Sequence, residues 1–159
     1  MSANGSHRKI RVYIAAPFIH RDKAREARDY LIREGYEVTA HWLDLESDSD
    51  DPPMLRREAQ QDWHDVITAN VLLLLNISKS EGKAVEQGIA LQKGIPIVAI
   101  GRPSNVFHRL PHYTWVDTLG KAIQAFPTLN PELETDELSA AMRLHKSPEH
   151  KTILPDTTY

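Results

Sequence analysis

Residues 71–100 read VLLLLNISKSEGKAVEQGIALQKGIPIVAI, and this stretch decides the fold. Its opening, residues 71–76 (VLLLLN), shows no alternation of apolar and polar side chains, so it fits a central strand covered on both faces, as parallel sheets require. Residues 82–93 follow as a helix closed by Gly94, because glycine enters the left-handed conformation that ends helices without steric cost. Residues 95–100 (IPIVAI) are the next aliphatic strand. Strand, helix and strand in this order make a parallel βαβ unit.

The same alternation extends outward in both directions. Residues 10–16 (IRVYIAA) form a short apolar run ended by Pro17. Residues 21–34 place Ala24, Ala27, Tyr30 and Leu31 at helical spacing and stop at Gly35. Residues 36–42 (YEVTAHW) alternate like a second strand, and residues 44–53 (DLESDSDDPP) are a solvated acidic loop. In residues 54–70, Leu55, Ala59, Trp63, Val66 and Ile67 share one helical stripe. A short helix within 103–110, a strand at 113–116 and a helix at 117–126 complete the series. The pattern predicts an α/β fold: a doubly wound, flavodoxin-like or Rossmann-like parallel five-stranded sheet with helices on both faces. The domain is expected to span residues 9–127, after a flexible N-terminus (1–8). A polar tail (128–159) follows, with one more amphipathic helix at 131–145.

Composition narrows the function. With 159 residues the chain supports one substantial core. Its 41% apolar and 26% charged residues match an ordinary folded protein. A net charge of −3 offers no basic face for polymeric nucleic acid. No apolar run is long enough for a membrane span, so a cytoplasmic protein is expected. The absence of cysteine removes thiolate nucleophiles and thiolate metal sites together. The eight histidines show no tight ligand spacing, so neither metal nor cofactor is predicted. Glycine-rich dinucleotide and phosphate loops are absent, as is a serine nucleophile elbow.

In open parallel sheets, ligands bind beyond the carboxyl ends of the strands. Residues 17–21, His41 and Trp42, 76–83 and 101–105 should therefore converge. Two carboxylates stand out near that edge. Asp62 falls near the centre of the apolar stripe of its helix, where a charge needs a purpose, although an Asp bonded to backbone at a layer edge also fits. Glu86 reads as a first-turn residue of the helix after the central strand. There the helix dipole favours the ionised carboxylate, in a nucleophile or in an ordinary first-turn glutamate alike. As a pair, the two suggest the paired acids of glycosyl transfer, one nucleophilic and one managing a proton. Trp42 fits either a stacked base or core packing.

VYIAAPF at 12–18, DWHDVITAN at 62–70 leading into the aliphatic strand, and GKAVEQGIALQKGIPI at 82–97 together resemble the nucleoside 2-deoxyribosyltransferase superfamily. The likeness runs from about Arg11 to Phe126, and Glu86 to Gly94 (E-x-G-x-A-x-x-x-G) is its most specific part. The resemblance implies a doubly wound sheet and a homo-oligomer with sites near subunit interfaces. It also implies Glu86 as the nucleophile at C1′, Asp62 as the group handling the proton on the base, and Tyr13 as their catalytic neighbour. It places Ala16, Pro17, Phe18, His41, Trp42, Ser80, Gly82 and Asn105 around the substrate, Asn105 reaching a neighbouring subunit's site.

One position departs from many of the transferases, which carry Asp where this chain has Ser80. A serine there resembles the deoxynucleoside 5′-monophosphate N-glycosidase branch and would not repel a phosphate. Arg21, Arg102 and Ser104 could add donors to it. Three functions follow for test: a transferase exchanging bases on a deoxynucleoside, a hydrolase of deoxynucleoside 5′-monophosphates, and a non-catalytic nucleotide-binding sensor.

Overall fold

The computed structural model describes residues 9–46 and 50–130. The aliphatic run becomes strand β3 (Val71–Leu75), buried at every position. It lies between β1 (Arg11–Ala15) and β4 (Ile97–Ile100), and all three run parallel. β2 (Glu37–Val38) flanks β1, and β5 (Tyr113–Val116) flanks β4. The order β2-β1-β3-β4-β5 is that of the flavodoxin-like doubly wound sheet, as the pattern predicts.

Helix α1 (Arg21–Arg33) carries the chain from β1 outward to β2, while α2 (Pro52–Thr68) and α3 (Glu81–Lys93) lead it back through β3 to β4. Right-handed crossovers running in opposite directions put α1 on one face and the packed pair α2 and α3 on the other. α4 (Leu119–Leu129) returns over β3, β4 and β5. Its Phe126 meets Tyr36, in the connection between α1 and β2, edge-on with ring centroids 5.4 Å apart. The chain thus reverses its winding between β1 and β3, and the crevice this opens at their carboxyl ends is where a site belongs. Gly94 closes α3 at φ 69°, a left-handed value that costs a Cβ-bearing residue about 1 kcal/mol or more. Leu72, Leu73 and Leu74 are fully enclosed, so truncating any of them to alanine should cost about 2–5 kcal/mol.

Three expectations are corrected. The second strand ends at Val38 rather than Trp42. Thr39 N still bonds Val12 O at 2.9 Å, but the next donor, His41 N, goes to the Asp65 carboxylate at 3.0 Å, and the backbone coils into a 3-10 turn, His41–Asp44. The stripe of α2 is buried only at its end. Val66 is enclosed, yet Leu55 is 45% and Trp63 54% exposed, since only the C-terminal part of the helix rests on the sheet. α4 runs through Pro127 to Leu129, because a proline in the last turn removes a single bond and leaves Pro127 O to accept from Asn130 N at 3.1 Å. The short helix expected within 103–110 is present as the 3-10 helix Val106–Arg109. The first eight residues, residues 47–49 of the acidic loop and the helix expected at 131–145 lie outside the described residues.

Candidate active site

Period-two alternation sends Tyr13 from the middle of β1 towards the α2 and α3 face. Its side chain is wholly buried, and its phenol donates a 2.8 Å hydrogen bond to Glu86 Oε1. The other carboxylate oxygen, Glu86 Oε2, is buried without a hydrogen-bond partner. A buried, unpaired carboxylate oxygen is expensive and is seldom retained without a use. Asp62, half-buried on α2, completes the group and is close enough to raise the pKa of Glu86.

Glu86 corrects the expectation of a first-turn, ionised carboxylate. Ser80 is the N-cap and Glu81 the acid of the first turn, so Glu86 lies in the second turn, beyond the reach of the helix terminus. Burial dominates instead and pushes its pKa up to about 7, with the negative Asp62 adding to the rise. The Tyr13 hydrogen bond and the Lys83 charge pull the other way. Asp62 is raised to about 6 by burial and then by Asp65 and Glu58, against the His41 charge. Tyr13 lies well above the usual phenol value through burial and the neighbouring carboxylates. Two acids, raised to about 6 and about 7 at a switch point, can each gain or lose a proton near physiological pH.

Around this centre the remaining candidates take different positions. Ala16 and Pro17 are buried just beyond β1, and Phe18 is half-buried, its ring tilted against Trp42 at 6.2 Å. Trp42 sits in the core with Nε1 donating to Ile14 O at 2.9 Å. His41 holds Nδ1 2.9 Å from Asp65 while its ring remains 63% exposed, and this bond is the first cause of its raised pKa. Ser80 accepts from Lys83 N at 3.4 Å as the cap of α3. At Gly82 an added Cβ would touch only Ser80 Oγ, at 4.0 Å, so protein packing alone does not demand glycine there.

Asn105 is not gathered to the Tyr13 and Glu86 pair. Its Oδ1 accepts from His108 N at 3.2 Å, capping the 3-10 turn after β4. Arg21 has its two terminal nitrogens engaged, while its Nε is buried without a partner. It donates to Leu45 O at 2.6 Å and Glu46 O at 3.2 Å, and with Arg25 it fastens the loop after β2. Ser104 Oγ is engaged by Asn76 Nδ2 at 3.3 Å, whereas Arg102 is exposed.

Three participants escape pattern reading. Asp65 is 1% exposed and receives His41 and Gln61. Lys83 is 5% exposed, and Gln87, equally buried, accepts from Tyr113 Oη at 2.9 Å. Lys83, Gln87 and Ala90 form the inward stripe of α3, so the signal was their spacing rather than their hydrophobicity. Among the described residues there is no cluster of three or more metal-ligating side chains, and no helix long and apolar enough to cross a membrane.

The fold and this site together define a doubly wound α/β protein with a phenol–carboxylate centre at its switch point. It is similar in fold to the CMP N-glycosidase BcmB of Clostridium botulinum, with 16% identity and a TM-score of 0.51 over 74% of this chain and 98% of that one. A conserved protein from Enterococcus faecalis V583 gives 16% identity and a TM-score of 0.48, over 79% and 98%. No family model and no curated protein matches the chain.

Proposed function

We propose that this chain cleaves the N-glycosidic bond of 2′-deoxynucleosides or their 5′-monophosphates through a covalent deoxyribosyl ester on Glu86. One observation carries the reading: Tyr13 holds one oxygen of Glu86 at 2.8 Å and leaves the other without a hydrogen-bond partner, as an attacking atom must be.

In the first step Glu86 Oε2 attacks C1′ as the C1′–N bond breaks. The bonding pair leaves with the base, which takes a proton from Asp62 directly or through a water. The active form of the pair carries one proton, on Asp62, with Glu86 ionised. The Tyr13 hydrogen bond and the Lys83 charge lower the pKa of Glu86, but at about 7 it stays above the about 6 of Asp62, so this form is the minor one of the two that carry a single proton. In the second step Asp62 accepts a proton from the incoming nucleophile, which displaces Glu86 at C1′ with net retention. A nucleobase in that role makes the chain a transferase, and water makes it a hydrolase.

Ser80 supports a phosphorylated donor, since it offers a hydroxyl at the N-terminus of α3 where a carboxylate would repel. The Clostridium botulinum protein of similar fold, a CMP N-glycosidase, leans the same way, because CMP is a nucleoside monophosphate. The open stripe of Leu55 and Trp63 supports assembly of several copies. A non-catalytic sensor is disfavoured because binding alone gives the buried carboxylates nothing to do.

Chromatography of dAdo, dIdo and dCMP, each incubated with and without a second base, tests the proposal. Base exchange marks the transferase, and free base with sugar or sugar phosphate marks the hydrolase. Unchanged nucleotide held in tight complex would overturn the catalytic reading.

A further inference from the structure

We propose that Lys83 is a positioning residue of this site, its buried ammonium clamping the loop between β3 and α3 and setting a positive charge one helical turn before Glu86. The inference deepens the reading of Glu86 as nucleophile and rests on it.

The geometry is specific. Lys83 Nζ donates to Asn76 Oδ1 at 2.7 Å and to Ser78 O at 2.6 Å, so the tip of β3 and the loop behind it are tied to the first turn of α3. Asn76 Nδ2 in turn donates to Arg102 O at 2.7 Å and Ser104 Oγ at 3.3 Å, beyond β4. Ser104 N donates to His108 Nδ1 at 3.0 Å, which leaves the ring proton on Nε2, 2.9 Å from Gln87 Oε1. Gln87 Nε2 closes the circuit on Lys83 O at 2.9 Å. The circuit joins α3 to the loops beyond both strands, and the Lys83 ammonium is the one cationic side chain that bonds within it.

Among the described residues the ammonium is held by neutral oxygens, without a carboxylate at ion-pair distance. Burying a charge in that way is costly, and a methionine or leucine would fill an inward position of a helix at less expense. The charge gains a purpose from Glu86, three residues on and on the same face of α3. The groups acting on Glu86 are Tyr13 from β1, Asp62 from α2 and Lys83 from its own helix, and only Lys83 is cationic. Lys83 itself, brought down to about 8 by burial, is supported by the charge of Glu86, and it in turn disfavours protonation of His108. Lys83 therefore opposes the burial of Glu86 and keeps the nucleophile available as an anion.

The test is a carbon-13 NMR titration of the Glu86 carboxyl in the full-length protein, its signal assigned by its absence in Glu86→Gln. In Lys83→Met the midpoint should rise, by less than about one pH unit because the Lys83 charge is the smallest of the four influences on Glu86. Lys83→Arg should leave it in place. In parallel, kcat should fall severalfold in Lys83→Met, with KM little changed because the ammonium is engaged by Asn76 Oδ1 and Ser78 O. If Lys83→Met does not fold, Lys83→Gln carries the test with the same expected rise, since its amide can still bond Asn76 and Ser78. A midpoint equal to that of the wild type in a folded, uncharged variant overturns the proposal. Failure of the functional reading would show separately, as absent turnover by the wild-type protein, and the titration does not depend on turnover.

Discussion

Tyr13 Oη and Glu86 Oε1 meet at 2.8 Å across 73 residues of sequence, joining the core of β1 to the second turn of α3. The bond does two things: it fixes which carboxylate oxygen is free, and it stabilises the anion that burial opposes. Tyr13→Phe should therefore lower kcat by about 10- to 100-fold, the worth of one hydrogen bond to a charged group, and leave KM nearly unchanged. Steady-state kinetics check this. An unaltered kcat would mean that Glu86 does not act as an anion.

The pair of acids predicts a narrow pH optimum. Asp62 is raised to about 6 and Glu86 to about 7, and coupling makes these the properties of the pair. Below the lower value both acids hold protons and the nucleophile is lost. Above the upper value both are ionised and the base departs without a proton. A plot of kcat/KM from about pH 5 to about pH 9 should be bell-shaped, with its maximum between the two values. A plateau extending to the alkaline end would contradict the assignment of Asp62 as the acid.

The site is held at a cost to stability. Glu86 titrates at about 7 in the folded protein against an ordinary 4.5, so the folded state binds its proton more tightly. This contribution is complete below the unfolded value and is lost as pH rises through the folded one. Glu86→Gln should then be more stable than the wild type near pH 8, on the order of 2 kcal/mol or about 5 °C in Tm, and equal to it near pH 4. Thermal unfolding at both pH values decides. A Glu86→Gln variant less stable at the higher pH would show that the carboxylate is not under strain.

Asp65 predicts the opposite kind of effect. Its buried carboxylate takes His41 N at 3.0 Å, His41 Nδ1 at 2.9 Å and Gln61 Nε2 at 2.8 Å, and so shapes the turn after β2. Asp65→Ala should cost about 3 kcal/mol by urea unfolding, since it strands these donors, and should lower the pKa of His41. A loss within about 0.5 kcal/mol would mean the turn is shaped by other contacts.

The sheet was legible because it rests on hydrophobic period: the unalternating run at residues 71–75 suggested a central strand, and its neighbours followed. Asp62 and Glu86 stood out by their positions in their helices and Tyr13 by motif order alone; the structure brings Tyr13 and Glu86 within 2.8 Å. What stayed hidden depends on contacts far apart in sequence. The strand expected at 36–42 is cut short by a carboxylate 24 residues away. The state of Glu86 is set by burial under neighbouring elements, which outweighs the local dipole argument. Lys83 and Gln87 were invisible because polar residues on the inward face of a helix mimic a solvated one. The exposed half of α2 shows the reverse error, an apolar stripe that the single chain leaves open.

A covalent bond between Glu86 and C1′ is the central claim, and one measurement addresses it directly. Asp62→Asn, incubated with a deoxynucleoside whose base is already cationic, such as 7-methyl-2′-deoxyguanosine, should complete the first step without an acid and stall at the second. Intact-protein mass spectrometry, with and without a 5′-phosphate on the donor, should then show one deoxyribosyl or deoxyribosyl-phosphate unit added, mapping to the peptide that contains Glu86. Release of base with no adduct on the protein, or an adduct on any other residue, would contradict the covalent mechanism.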